Sequence, residues 1–584
     1  MKKILIILTS LLAVLSGCTV TENVLNGEPA KIVDNVEAAV SPQAETKQAE
    51  TENKENAGPL DIVSAELNGE KLIIHKKIYR TITGKTDIGA NISLVFTAGN
   101  PAAEFLFFAD RKLTQPLEAG ALGNIKAGEN LIYIKAVDPA NGASQVYTLS
   151  VMGIGEPETD AKYFEYPEPT VVVSDIDSLD YAMSKAVSGQ IIGITGGGYY
   201  VFADKSNRRL QFCNKNNVIL RSVSGNYDDV TLYGAGFHKT RDYRATPADE
   251  MLIVGGASSD IIFYGITIRG VNCNGFKIDG TNERNITIDN CRAIDVNERM
   301  IKGSAGGGND SFVYNLVIKN CWFENTQIPR IGADEDHSTD PGNYIGGIDV
   351  MNIIGCLVQN CAFVNIQGAE ETGSNGRGGI FIWGQNGCKD IIVENNLFIN
   401  CDRGITYYLG DSTQSGRWGI EGGIIRNNII YGVVWDAIQI CYSKDIGVYH
   451  NTIVMNYRNR GDRGIRDPYG NCKNLIIKNN IAHKFQLWEY GDFSSNYGGN
   501  EDKANADYIL KNGHIIENNL VLKDIKVKTY FVKTQNPTCA EDFKLTSDAV
   551  NALAGGQALT GLVDLDFFGN KRPATPDIGA HQFN

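Results

Sequence analysis

The sequence predicts an all-β chain: a small β-sandwich followed by a long coiled sheet, a β-solenoid. Three observations predict it. First, the phrase "apolar, x, Asn, Cys-or-Asn, x, apolar" recurs through the second half. It places Cys291, Cys321, Cys361, Asn396, Asn428, Asn451, Asn480 and Asn519 in one column, at intervals of 23 to 40 residues, with His450 replacing the first Asn in one copy. Second, most copies follow short β-branched runs such as Ile286-Thr287-Ile288 and Leu475-Ile476-Ile477, the composition of strands. Third, 584 residues exceed one compact domain of roughly 100–200 residues, but suit a leading module and a repeat array. With 63 Gly but only 16 Pro, the composition excludes collagen-like and Pro-rich disordered chains. Lys plus Arg is 54 against 68 for Asp plus Glu, a net charge of −14 with no basic tract, so no nucleic-acid partner is expected.

The chain opens with Lys2 and Lys3, an apolar run from Ile4 to Leu15, and Ser16-Gly17-Cys18. That run is about half of the ~20 residues needed to span a bilayer, so it reads as an export signal and not an anchor helix. Leu15-Ser16-Gly17-Cys18 resembles the bacterial lipobox. The resemblance implies a signal peptide over 1–17, cleavage before Cys18 and lipidation of its thiol. Thr19, in place of the Asp of inner-membrane retention, implies an outer-membrane lipid anchor on the periplasmic or cell-surface face. Residues 18–59 are polar and without aromatics, too poor in apolar surface to offset their chain entropy, and form a disordered tether.

Between 60 and 153, short alternating segments at Lys71–His75, Ile92–Phe96, Glu104–Phe108, Asn130–Val137 and Gln145–Val151 predict a small β-sandwich. Its closing stretch, Gly128-Glu129-Asn130-Leu131 through Val137 and then Tyr147-Thr148-Leu149-Ser150-Val151, resembles bacterial cadherin-like or Ig-like modules. That resemblance implies a spacer or glycan-facing accessory.

The array occupies 165–584. A short helix over 176–186, capped by Asp175 or Asp177, is predicted to cover the open end of its core. In a coiled sheet like residues stack at about 4.8 Å, so a column of Asn satisfies tight-turn backbone and bonds to its neighbours. Cysteine fits the same slot, small and apolar. Twelve cysteines less Cys18 leave eleven, an odd number that does not suit a disulfide framework, and Cys291, Cys321 and Cys361 are expected as a ladder of reduced, buried thiols. Together with the Gly189–Tyr200 opening and the closing Asp564-Leu565-Asp566, Gly569–Pro573 and Asp577–Ala580 phrases, the array resembles the pectate-lyase-like, right-handed parallel β-helix superfamily. That group includes polysaccharide lyases, glycoside hydrolases, epimerases, pectin esterases and non-catalytic adhesins, and the chain carries the full signature of none of them.

After each Asn/Cys turn a second strand is expected, opening with Gly-Ile or a close variant. Alternation turns its third residue outward, giving the column Lys277, Lys302, Asp349, Phe381, Thr406, Gln439, Arg466. The fifth residue adds Asp279, Ser304, Met351, Trp383, Tyr408, Cys441 and Pro468, and the position before the opening adds Arg299, Arg403 and Arg463. Cations lead and aromatics follow, a pattern that suits an anionic sugar chain: charge for carboxylate, rings for sugar faces. Insertions at 324–344, 368–378, 410–419 and 457–463 flank these strands and wall the same face. One holds Asp334, Asp336 and His337, oxygen-rich enough for Ca²⁺.

Removing the proton beside a uronate carboxylate requires a cation or Ca²⁺ to hold that carboxylate, and a base. Lys277, Lys302, Arg299 and Arg403 supply cations, with Asp349 a metal ligand or a lysine-orienting group. Two lysines one rung apart repel by roughly 3 kcal/mol, which Asp349 offsets unless it is occupied elsewhere. Hydrolysis needs two carboxylates ~5–9 Å apart, and Asp349 with Asp279 is a diagonal pair. The favoured reading is a polysaccharide lyase with Lys302, Asp349, Arg403 and Lys277 in the chemistry. Arg299, Phe381, Trp383, Tyr408 and Arg466 bind substrate, and Asp349, Asp334 and Asp336 are the candidate metal ligands. A glycoside hydrolase or a non-catalytic glycan-binding protein is the alternative.

Overall fold

The structure is a computed structural model. It describes residues 60–583 except 76–80, parts of 88–127, and 155–165, 202–207, 235–249, 305–310, 328–344, 369–375, 455–463 and 523–528. Cys18, Asp334, Asp336 and Arg463 lie outside the described residues. The chain divides into two compact units, 1–159 and 160–584.

In the first unit a three-stranded antiparallel sheet and a six-stranded sheet share one core that includes Ile62, Leu67, Ile82, Ile134, Leu149 and Val151. Strands Glu104–Phe108, Gly128–Val137 and Ser144–Ile154 follow the expected segments closely. The sequence reading omitted Ile62–Leu67, which pairs with Leu94–Ala98, and Thr81–Asp87. The latter lies parallel to Ser144–Ile154, so the larger sheet is mixed and not purely antiparallel.

The second unit is a right-handed parallel β-helix of three sheets, of twelve, eleven and ten strands among the described residues. One turn illustrates the order: Gly346–Met351 in the ten-stranded sheet, Ile353–Gln359 in the twelve-stranded sheet, Ala362–Val364 in the eleven-stranded sheet, then Gly378–Trp383 one rung on. The eleven-stranded sheet was missed in the sequence. Its strands are mostly three to five residues long, too short for alternation to register, so the Gly-Ile strand is the third of each turn and not the second. The interior is a continuous column of Ile, Val, Leu and Phe, with Phe323, Phe363 and Phe398 stacked at 5.1 and 4.8 Å.

The Asn/Cys column joins the twelve- and eleven-stranded sheets. The residue before each member sits in the left-handed region (Asn290 φ 50°, Asn320 56°, Asn360 54°, Asn395 56°, Asn427 53°, His450 52°, Asn479 60°, Asn518 54°), where Asn is tolerated. The next residue turns inward and builds the ladder. Asn428 Nδ2 donates to Asn451 Oδ1 at 2.9 Å, Asn451 to Asn480 at 2.9 Å, and Asn480 to Asn519 at 2.9 Å. Each amide also donates to a carbonyl of the preceding turn. In earlier turns Cys291, Cys321 and Cys361 are buried free thiols that donate to backbone carbonyls.

The N-terminal cap is the helix Ile176–Lys185, whose N-cap Asp175 accepts from the Ser178 amide in a capping box. At the other end the structure corrects the helix-poor reading: Tyr490–Tyr497 and Glu501–Asn512 form two more helices. Asn500 caps the second, and Trp488, Ala504 and Tyr508 pack together beneath them. From Tyr530 onward the chain returns along the outside, where Arg572 reaches Asn427 at 2.9 Å and the Ala580 amide donates to Thr452 at 2.8 Å.

Candidate functional site

The ten-stranded sheet carries the column derived from alternation. Lys277, Lys302, Asp349, Phe381, Thr406, Gln439 and Arg466 pair rung to rung without slippage, and Gln486 extends the column. Their neighbours Ile301, Ile348, Ile380, Ile405 and Ile438 point into the core.

Its centre is an ion cluster. Arg299 Nε donates to Asp349 Oδ2 at 2.5 Å, Lys302 Nζ lies 3.3 Å from the same oxygen, and Trp383 Nε1 donates to Oδ1 at 2.9 Å. These charges are nearly dry: the Arg299, Lys302 and Asp349 side chains are 1%, 10% and 2% exposed. Burial alone would raise the Asp349 carboxyl, but the Lys302 and Arg299 charges and the hydrogen bonds outweigh it and hold the group well below its ordinary 3.8. Burial pulls the Lys302 ammonium below 10.5; Asp349 opposes this, and the Arg299 charge adds to it. Arg299 therefore does what the sequence reading left to a metal, taking up Asp349 so that Lys302 is not fully stabilised as a cation.

Asp349 does not fit a Ca²⁺ ligand, because Arg299 and Lys302 already offset its charge at Oδ2 and the Trp383 N–H occupies Oδ1. No group of three His, Cys, Asp or Glu side chains suited to a metal occurs among the described residues.

Lys277 stands at the N-terminal edge, its Nζ 2.5 Å from Glu250 and 3.9 Å from Asp279. Burial lowers its pKa, but the Glu250 charge and hydrogen bond win and the net shift is upward, so Lys277 is a committed cation and a poor base. Arg466 pairs with the buried Asp436 at 3.1 Å.

The aromatic positions require correction. Phe381 and Tyr408 are buried, 3% and 2% exposed, and not open platforms. Phe381 stacks on Trp383 at 5.5 Å, and the Arg377 guanidinium lies 5.2 Å from the Phe381 ring centre. Tyr408 adopts φ 60°, turns under the 410–419 loop and donates its hydroxyl to Ser412 O at 2.5 Å. Trp383 is partly exposed, but its N–H is spent on Asp349. Alternation shows which way a side chain leaves the sheet; it does not show what later folds over it.

Arg403 stands over the Trp435 ring at 5.8 Å, and it makes no ion pair among the described residues. Burial lowers its pKa; Asp436 opposes that, and the Arg377 charge adds to it. Asp402 accepts from the Gly368 and Gly376 amides at 2.7 and 2.9 Å, pinning both feet of the 368–378 insertion beside Arg403. The 410–419 loop bonds to Gln385 and sends Arg417 over the Phe312 ring. Sequence reasoning missed Arg377, Asp402, Trp435 and Asp436. Asp436 had a readable signal, since it precedes Ala437 as Arg299 precedes Met300 and Arg403 precedes Gly404.

Comparison with solved structures finds several likenesses at low identity. The pectate lyase Pel9A aligns with a TM-score of 0.42 at 11% identity, over 69% of this chain and 90% of its own. The A-module of the Azotobacter vinelandii mannuronan C-5 epimerase AlgE4 aligns at 0.36 and 13% identity, over 55% and 86%. A Yersinia enterocolitica family 28 exopolygalacturonase aligns at 0.31 and 11%, over 68% and 90%. These are likenesses of fold at low identity. No family model and no curated protein sequence matches the chain.

Proposed function

We propose that this chain is an exported, lipid-anchored polysaccharide lyase that cleaves a uronate-containing polymer by β-elimination. The observation that carries the reading is the buried Lys302 of the outward column, its ammonium destabilised by burial while Arg299 competes for the neighbouring carboxylate of Asp349. A lysine held in this way donates its lone pair below the pH at which a solvated lysine does. The proton on the carbon bearing the carboxylate passes to Lys302 Nζ. The electron pair left behind forms the new carbon–carbon double bond, and the glycosidic oxygen on the adjacent carbon departs. Arg403, three rungs further along the column and without an ion pair among the described residues, is available to a carboxylate of another sugar of the same chain.

The hydrolase alternative is weaker, because both Asp349 oxygens are already engaged, Oδ2 by Arg299 and Lys302 and Oδ1 by Trp383, which leaves it a poor base for water or nucleophile. Ca²⁺ enters this reading only through Asp334 and Asp336, and no step runs through it. Export and anchoring rest on the apolar leader and Cys18, and the first unit serves as a cadherin-like spacer.

The test is incubation of the purified protein with uronate polymers. New absorbance from unsaturated ends is expected. Reducing ends without that absorbance mean hydrolysis, and binding with neither signal means a non-catalytic glycan binder.

A further inference from the structure

We infer that the outer face of the twelve-stranded sheet is an interface, and that its occupant is a second copy of this chain. From strand Val313–Lys319 to strand Ile476–Lys478 that face carries one column in unbroken register: Val317, Leu357, Ile392, Ile424, Gly447 and Ile476. The residues next to them, such as Val358, Val393 and Ile425, point into the core, so alternation turns this column outward. Its five side chains larger than glycine are all partly exposed. A continuous apolar row on the solvated side of a sheet is the mark of an interaction surface.

The row is complementary to itself. A two-fold axis along the strands, midway between Ile392 and Ile424, sets Ile392 against the second copy's Ile424, Val317 against its Ile476 and Leu357 against its Gly447. Gly447 is the gap in the row, and there the face opens into a hollow of about 510 Å³ lined by Ile424, Tyr449 and Ile476 among others. Leu357 is the knob that the same axis brings to it. The next outward column obeys the same rule. Glu394 and Arg426 lie one rung apart and pair at 2.5 Å within the chain, and the axis sets each against its opposite in the second copy, a ring of four alternating charges. Arg426 also donates to Leu562 O of the returning tail, which borders the row on that side. Six rungs at about 4.8 Å, with strands of about seven residues at about 3.3 Å each, make roughly 670 Å² per copy and about 1,300 Å² in all, within the range of stable interfaces. A foreign apolar ligand could cover the row, but only a second copy calls for knob, hollow and charges that match themselves in reverse order.

The experiment is sedimentation equilibrium of the full-length protein in a density-matched detergent. The parent should sediment at twice the mass of one chain. Ile392→Lys and Ile424→Glu change outward side chains and leave the core intact, so each should fold and sediment as a monomer. An equimolar mixture of the two should recover a dimer, because the axis sets the two substituted positions against each other. Leu357→Ala, which removes the knob, should raise the dissociation constant about tenfold or more. A monomeric parent overturns the inference, as does a dimer that survives both charged substitutions. Monomeric single variants whose mixture stays monomeric refute the two-fold arrangement and the inference with it. Should a charged variant fail to fold, Leu357→Ala decides, and an unchanged dissociation constant overturns the inference.

Discussion

Lys302 and Asp349 share one hydrogen-bonded cluster, yet replacing them has opposite consequences. Asp349 lies between two buried cations, so Asp349→Asn leaves Arg299 and Lys302 facing each other without the carboxylate that both approach. Breaking a buried pair in this way costs about 3–5 kcal/mol, and a large fall in melting temperature is the expected result. Lys302→Met keeps the aliphatic stem and leaves Asp349 to Arg299, which holds it at 2.5 Å. That variant should fold and melt close to the parent, yet lose about 10²-fold or more in turnover, as expected when a general base is removed. Lys319→Ala is the control: it sits on the twelve-stranded sheet, paired with Asp289 at 3.3 Å on another face, and should leave turnover unchanged. In the parent, the rate should rise with pH through an apparent pKa below the ordinary lysine value, because burial destabilises the charged form. A Lys302→Met protein that folds and still turns over like the parent removes Lys302 from the chemistry.

At the scale of elements, the Asn ladder is the device that sets the turn. Asn451 accepts from the amide and side chain of Asn428 and donates to Ile425 O, Tyr449 O and Asn480 Oδ1. Asn451→Ala strips partners from several buried groups at once. Since each costs about 1–3 kcal/mol when left unmatched, the loss in chemical denaturation should reach a few kcal/mol; a loss under about 0.5 kcal/mol would mean that water replaces the amide. This ladder was legible in the sequence because every turn repeats it, and so was the Lys277-to-Arg466 register, which follows from strict apolar alternation. The eleven-stranded sheet and the covers over Phe381 and Tyr408 were not legible. Three-residue strands carry no period, and a loop that returns over a ring leaves no mark at the ring. The partners of Lys302 were half legible: Asp349 is its rung neighbour, but Arg299 enters from the previous column and Trp383 from the next strand.

For the whole molecule, the C-terminal closure is tied down by histidines that must stay neutral. The Leu475 amide donates to His514 Nδ1 at 3.1 Å and the Leu545 amide to His581 Nδ1 at 2.9 Å, and each bond needs a lone pair that protonation removes. His450, in the Asn column, bonds to Gly579 O through Nδ1 at 3.2 Å and to Asn479 through Nε2 at 2.9 Å, so it too is neutral. Burial pushes His514 and His581 down to about 4 and drives His450 well below its ordinary 6.5. With folded pKa values lowered, the unfolded chain binds more protons below 6.5, so stability falls as the pH drops. For His514 and His581 the loss runs from about 6.5 down to about 4; for His450 it continues further. These groups lie in the last helical turns and the returning tail, and a solenoid couples mainly neighbouring rungs. Acid should therefore open this end first, while the N-terminal turns stay closed. Hydrogen exchange at pH 7 and pH 4.5 tests this, with lost protection expected near Leu475, Leu545 and Ala580 and retained protection near Ile286 and Ile318. His581→Asn, whose carbonyl can accept from the Leu545 amide without titrating, should flatten the pH dependence around Leu545. Uniform loss along the whole β-helix, or an unchanged profile in that variant, would mean that acid stability is set elsewhere, in the carboxylate pairs of the sheets.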